Sequence, residues 1–248
     1  MECGAKVIKN RLTFKNLAQD INDQFFNIDN TFLKTFIHLF TKPEIVINGF
    51  ISGTRKKYIT VIQYFAISLT LVGVQIFLMN TFFKDALQVE DMFGASFKDM
   101  PNQENNPFLP QNFDYSQINN YQSLIYILSV PFSAIATWLA YKIIGDKRFN
   151  FTEHIVLNLY YSGQIIIVSS VLTILFLCFG IDYMTITYIV TAITFIYFFH
   201  VLMRVFNSNF LNTLASFLLF LVVLGVIFLI VFILGVIIGI GIVLMQKI

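Results

Sequence analysis

Residues 41–58 read TKPEIVINGFISGTRKKY. Lys42, Arg55, Lys56 and Lys57 make the stretch basic, and Ile45, Val46, Ile47, Phe50 and Ile51 give it an apolar side. Pro43 suits a first helical position, where a missing N–H costs nothing, and Gly53 suits a helix stop. The pattern predicts a short helix in the headgroup layer, closed by a cationic cluster that sets the orientation of the chain. Before it the sequence is polar and amphipathic; after it come five long apolar runs.

Composition points the same way. Of 248 residues, 57% are hydrophobic and 12% charged, and mean hydropathy is +0.74. Globular chains carry about 25% charged residues, so this one belongs with membrane proteins. A net charge of +2 is too small to call for a nucleic-acid partner. The two cysteines, Cys3 and Cys178, make no disulfide framework, and Cys178 lies in an apolar run. No basic start leads at once into an apolar core, so insertion is expected to rely on internal spans.

Taken in order, Thr13 is placed to cap a helix running to about Asn27, with Phe14, Leu17, Ile21 and Phe25 at helical spacing. Asp29 or Asn30 is placed to cap a second. Its apolar face is Phe32, Leu33, Phe36, Ile37 and Phe40, and it ends near Thr41, ahead of Pro43. None of these pieces reaches the roughly 20 apolar residues of a span. They are expected to lie flat on the bilayer or to pack beneath the spans.

The five runs cover about 59–83, 121–144, 154–180, 183–206 and 211–245. The last has 35 residues, longer than a hydrocarbon core of about 30 Å requires. With no turn signal inside it, one tilted or broken helix is expected rather than a hairpin. Pro131 is expected to kink the second span.

Charge tests this threading. Residues 1–58 hold nine Lys/Arg against five Asp/Glu, and residues 84–120 hold two against six. Lys142 lies just inside the end of the second run, and Lys147 and Arg148 follow it. Arg204 ends the fourth, Asp182 is the one charge between the third and fourth, and Lys247 after the fifth is the exception to the pattern. Basic residues gather on alternate sides, which places the N-terminus in the cytoplasm and the C-terminus outside. The fold class is therefore an all-α polytopic membrane protein. Five transmembrane helices (59–248) follow a cytoplasmic N-terminal region (1–58) of two or three amphipathic helices. The loop 84–120, rich in Pro, Asn and aromatic residues, is expected to be irregular. It reads either as a solvated connector or as a binding surface.

Few groups suggest chemistry. Glu153 and His154 open the third run, and His200 and Arg204 close the fourth on the same side. If the two runs form a hairpin, Glu153 is expected to pair with Arg204 and His154 to approach His200. Asn158, Tyr161 and Gln164 extend a polar stripe at spacings of three and four. The stripe reads as a polar pocket or as a structural network. Ligand spacing for a metal is missing, and no catalytic motif or cofactor-binding loop is present. Gln63, Gln75 and Asn80 are available for bonds between helices, and Gly235 and Gly239 form a small-xxx-small step that permits close helix approach.

Two stretches resemble a family of bacterial membrane proteins, domain of unknown function family 3667. The first is RLTFKNLAQDINDQFFNIDNTFLKTFIHLFTKPEIVINGFISGTRKKY, residues 11–58, with its R-L-T start, lone K-P and G-x-R-x-x-Y ending. The second is FNFTEHIVLNLYYSGQ, residues 149–164, which is similar to an F-x-E-H motif opening a central span. Members often begin with paired C-x-x-C knuckles; only Cys3-Gly4 stands here, so no zinc is expected. The resemblance implies a bacterial inner membrane and no known activity. A looser similarity to Yip-type five-span proteins suggests membrane organisation.

Three functions follow as expectations. The first is a non-enzymatic scaffold that binds a partner or organises lipid through its N-terminal helices, with the Gly235/Gly239 step as the place for an interface with a membrane-protein partner or a second copy. The second is a small transporter or channel using the polar stripe. The third is a membrane enzyme using Glu153, His154 and His200.

Overall fold

The computed structural model describes residue 13 and residues 27–54, 56–87 and 120–245. The helix expected over 13–27 thus falls almost wholly outside the described residues, as do Arg55 and most of the loop 84–120. Among the described residues there are seven α-helices and no strand.

Helix α1 spans Asn27–Thr41 and α2 spans Pro43–Ile51. Pro43 takes the first turn of α2, so its fixed backbone makes the corner between the two helices. Gly53 ends the unit at φ +100°, a conformation that favours glycine. The apolar band of α1 is divided. Thr35 and Leu39 are buried and Phe32 and Phe36 pack on the core, whereas Leu33, Ile37 and Phe40 stay exposed.

Five helices long and apolar enough to cross a bilayer follow. They are α3 (Val61–Phe82), α4 (Gln122–Ile144), α5 (Phe151–Cys178), α6 (Tyr183–Val205) and α7 (Phe210–Met245). These bounds agree with the expected runs to within three residues. Pro131 lies inside α4, which continues through it. The 36-residue α7 is one unbroken helix, so no second crossing is made from it.

Helix α5 is the axis of the bundle, packed against α3, α4 and α6. Its start is fixed by a reciprocal cap: the Asn150 side chain accepts from the Glu153 N–H at 3.0 Å, and Glu153 accepts from the Asn150 N–H at 2.7 Å. Its end closes at Gly180 (φ +73°), where the Gly180 and Ile181 N–H groups return to the Leu177 and Phe176 carbonyls. That motif satisfies the orphan carbonyls of the last turn and reverses the chain directly into α6. Asp182 accepts from the Thr185 N–H at 2.8 Å and starts the next helix.

Tyr64 on α3 bonds Gln164 on α5, and Tyr160 donates to the Ile59 carbonyl at 2.7 Å. Residues 59–64 are therefore level with 160–164. Because α5 begins at Phe151, it extends beyond the start of α3 by roughly 13 Å at about 1.5 Å per residue. Helices α1 and α2 pack against this extension and the last turns of α6. Leu39, Val46 and Ile47 belong to the same buried core as Tyr64, Tyr160, Phe198 and Val201. Helices α1 and α2, of 15 and 9 residues, are packed on the spans, and neither has the length of a crossing helix.

Candidate functional site

The concentration of polar geometry is where α1 and α2 meet the spans. A helix leaves its last carbonyls without intrahelical partners, and at the end of α1 the spans supply donors. Tyr197 donates to the Leu39 carbonyl at 3.1 Å, and His200 Nε2 lies 3.1 Å from the Phe40 carbonyl, which makes Nε2 the protonated nitrogen. Gln164 donates Nε2–H to the Phe36 carbonyl at 3.2 Å while its Oε1 accepts from the Tyr64 hydroxyl. Lower down, Asn48 donates to the Val205 carbonyl at 3.1 Å, and Arg204 forks onto Glu44 at 2.6 and 3.1 Å.

The connection into α3 is tied as firmly. The His38 Nδ1 and Tyr58 hydroxyl are 2.7 Å apart, and the Ile59 N–H donates to Thr35 Oγ1 at 3.1 Å. Burial raises the Tyr58 phenol above its ordinary value, so it stays neutral and available for hydrogen bonding. Thr35 in turn donates to the Thr31 carbonyl at 2.6 Å.

The polar stripe is consumed internally. Gln164 and Asn158 are fully buried. Asn158 accepts from Ser133 at 2.6 Å and donates to Thr137 and to the His154 carbonyl at 2.9 and 2.8 Å. Tyr161 stacks on Tyr197 with ring centroids 5.9 Å apart. A lateral groove of about 370 Å³ lies between α3 and α5, but its lining, including Leu71, Val74, Ile174 and Leu175, is mainly apolar. Gln75 and Ser170 are its polar members.

Two expected pairings are corrected. Glu153 does not meet Arg204; it turns back to cap its own helix, and Arg204 takes Glu44 instead. His154 does not share a site with His200. It is buried among Tyr141, Phe149 and Phe206 with Nδ1 3.2 Å from Thr137 Oγ1, while His200 serves α1. Shared depth on a hairpin does not make side chains face one another, and each of these is drawn to a different neighbour. Among the described residues no group of three or more His, Cys, Asp or Glu side chains is arranged for a metal.

Lys42, Lys56 and Lys57 are exposed around the docked helices. Gly235 faces open space, with nothing within 4 Å of a side chain added there, and Gly239 lies one turn further along the same helix. Gln63 bonds Thr60, and Asn80 donates to Asn120 at 2.8 Å, joining the last turns of α3 to the start of α4. On the link after α4, Arg148 grips Asp146 at 2.7 Å and the Phe206 carbonyl at 2.8 Å. Its hydrogen bonds hold the Asp146 carboxyl below the usual carboxylate range and raise the guanidinium in turn.

Tyr64, Tyr160, Tyr197 and Gly163 carry much of this geometry and stand outside the residues the sequence marks, and Tyr58 enters there only as the last position of the G-x-R-x-x-Y ending. The available signal was weak: hydroxyls at intervals in a background of Phe, Leu and Ile. A side chain added to Gly163 would meet the Tyr64 ring at 2.9 Å, so glycine is what lets α3 and α5 close at this level.

Residues 29–73 match the model of a family described as a protein of unknown function (DUF3667). The match covers most of α1, all of α2 and the first part of α3, the docked unit and its anchor. Three positions of the resembling motif within it have a geometric task. Pro43 makes the corner, Gly53 ends α2, and Tyr58 bonds back to α1. The stretch 149–164 lies outside the match, and the looser likeness to Yip-type proteins is not shown. No curated protein matches this chain, and no solved structure does.

Proposed function

We propose that this chain is a multi-pass inner-membrane scaffold, with its N-terminus in the cytoplasm. In this reading α1 and α2 form a rigid platform at the membrane surface that binds a partner protein or lipids. The observation that carries it is the attachment of α1 and α2 to α5 and α6 through Gln164, Tyr197, His200, Arg204 and Asn48. A helix held at this many points keeps one outward face. That face is apolar, with Leu33, Ile37, Phe40 and Ile45 exposed beside Lys42. Apolar residues rimmed by cations suit the headgroup boundary or a membrane-embedded partner. The transporter reading lacks comparable support, because Asn158 and Gln164 are bonded within the bundle.

The test is recovery of bound proteins and lipids from native nanodiscs, compared between wild type and two variants. Leu33→Ser with Ile37→Ser removes the apolar face, and Lys56→Ala with Lys57→Ala removes cations. The platform reading expects a defined subset of recovered molecules to be lost with correct insertion retained. An unchanged set in both variants overturns it.

A further inference from the structure

We propose that Lys34 and Lys57 form a seat over Tyr58 for the phosphate-bearing headgroup of an anionic phospholipid, in the leaflet that contains α1 and α2. The proposal deepens the platform reading and rests on it for the location of α1.

Tyr58 is a fixed floor. Its side chain is 5% exposed, its hydroxyl is held by His38, and the next residue is clamped through its N–H by Thr35 and through its carbonyl by Tyr160. Two ammonium groups approach this ring from separate elements. Lys34 Nζ, from α1, is 5.9 Å from the ring centroid, and Lys57 Nζ, from the connection to α3, is 5.5 Å from it. The ring face offsets part of their mutual repulsion.

No described carboxylate answers them. The ion pairs among the described residues are Arg148 with Asp146 and Arg204 with Glu44, both elsewhere. Two like charges no more than about 11 Å apart, with no carboxylate paired to either among the described residues, define a position where an anion is favoured. Lys56 adds a further cation, exposed like Lys57, beside the half-buried Lys34.

The neighbouring surface says which anion. Leu33 and Ile37 on α1 are 56% and 47% exposed, and Ile62, near the start of α3, is 73% exposed. A free phosphate or an acidic peptide in water gains nothing from such side chains. A phospholipid gains from both parts, its headgroup at the lysines and its acyl chains along the apolar residues.

The experiment uses the full chain in nanodiscs of phosphatidylcholine with a minor fraction of phosphatidylglycerol, and native mass spectrometry of the lipids retained on gentle release. Wild type should retain phosphatidylglycerol selectively. Lys34→Gln with Lys57→Gln should weaken retention roughly 30-fold, from about 1 kcal/mol for each lysine near a membrane surface. Lys34→Arg with Lys57→Arg should preserve it, and Lys142→Gln with Lys147→Gln should leave it unchanged. Equal retention in wild type and the glutamine variant overturns the proposal, as does retention by wild type that does not favour phosphatidylglycerol. If the glutamine variant fails to insert, wild type in rising salt decides: selectivity must fall with ionic strength, and salt-independent selectivity overturns the seat. Wild type that does not favour phosphatidylglycerol, while the platform variants still lose part of the bound set, would sink the seat alone. Selectivity in wild type that the glutamine variant loses, with the bound set unchanged in both platform variants, would sink the platform alone.

Discussion

Arg204, in the last turn of α6, forks onto the carboxylate of Glu44, in the first turn of α2, with N–O distances of 2.6 and 3.1 Å. Each charge sits at the helix end that favours it, the carboxylate at an N-terminus and the guanidinium at a C-terminus. Both side chains are partly exposed, so solvent screens the pair. Its weight is in fixing the register of α2 on α6 more than in stability.

Arg204→Ala or Glu44→Ala should each lower unfolding free energy by less than about 1 kcal/mol. Amide hydrogen exchange in residues 44–51 should nevertheless speed up in both. The double variant should be no worse than either single one. Fully additive effects would show that the pair does not couple the two helices.

Gln164 is the point where α1, α3 and α5 are joined, through the Phe36 carbonyl and the Tyr64 hydroxyl. Gln164→Leu keeps the volume and leaves both partners unsatisfied in a buried place. It should cost about 1–3 kcal/mol, read by thermal unfolding in detergent. Tyr64→Phe added to it should recover part of that loss, because one orphaned group is then gone. A Gln164→Leu protein as stable as wild type would refute the assigned role.

Much of the architecture is legible in the residues because the bilayer imposes it. Runs such as 183–206 have one stable solution in hydrocarbon, a helix with every backbone bond made internally. Pro43 and Gly53 are legible because each constrains its own backbone. Side-chain partners are another matter. On the hairpin of α5 and α6 the stacking of Tyr161 on Tyr197 sets Arg204 level with His154 and His200 about one turn away, and level says nothing of the direction in which a side chain points. Asn150 claims Glu153, and docked α2 presents Glu44 to Arg204. Likewise Phe32 to Phe40 read as one apolar band, and only the docking of α1 decides that Phe36 turns inward while Leu33 and Ile37 turn out. The tyrosine anchors are hidden for a related reason: their acceptors are backbone carbonyls of other helices, and a sequence names the donor without its acceptor.

Gly163→Ala should disturb the α3–α5 contact. The added methyl would meet Tyr64 Cδ1 at 2.9 Å, and that ring is fully buried against Tyr160 and Phe32. Overpacking of this kind costs about 1–3 kcal/mol. Tyr64→Leu should relieve the steric part, so the double variant should lose less than the sum of the two singles. Gly73 faces open space on the neighbouring helix, and Gly73→Ala should be tolerated in the same thermal assay.

Asp146 gives a pH dependence with a definite sign. Arg148 holds its folded-state carboxyl below the usual range, beneath an unfolded value of about 4. The stabilisation is therefore complete at neutral pH and is lost as pH falls through the folded-state value. The site is solvent-accessible, which keeps its contribution under about 1 kcal/mol. Asp146→Asn should show this deficit at pH 7 and little further loss on acidification in that range. Hydrogen exchange at Ser208 and the residues around it should report it, since Arg148 also holds the Phe206 carbonyl. Equal acid sensitivity in wild type and Asp146→Asn would assign the transition to another group.

Topology is the most direct test of the membrane reading. Helix α3 separates Lys56 from Lys84, and one crossing must place them in different compartments. In a protein with Cys3 and Cys178 replaced by Ser, Lys56→Cys should react with a membrane-impermeant maleimide only from the cytoplasmic side. Lys84→Cys should react only from the outer side, and Lys147→Cys should behave like Lys56→Cys. The three positions also separate the possible errors. Inverted labelling at all three would reverse the orientation and leave the crossings intact. Labelling of Lys56→Cys and Lys84→Cys from one side would mean that α3 does not cross, and the charge asymmetry between residues 1–58 and 84–120 would then need another cause.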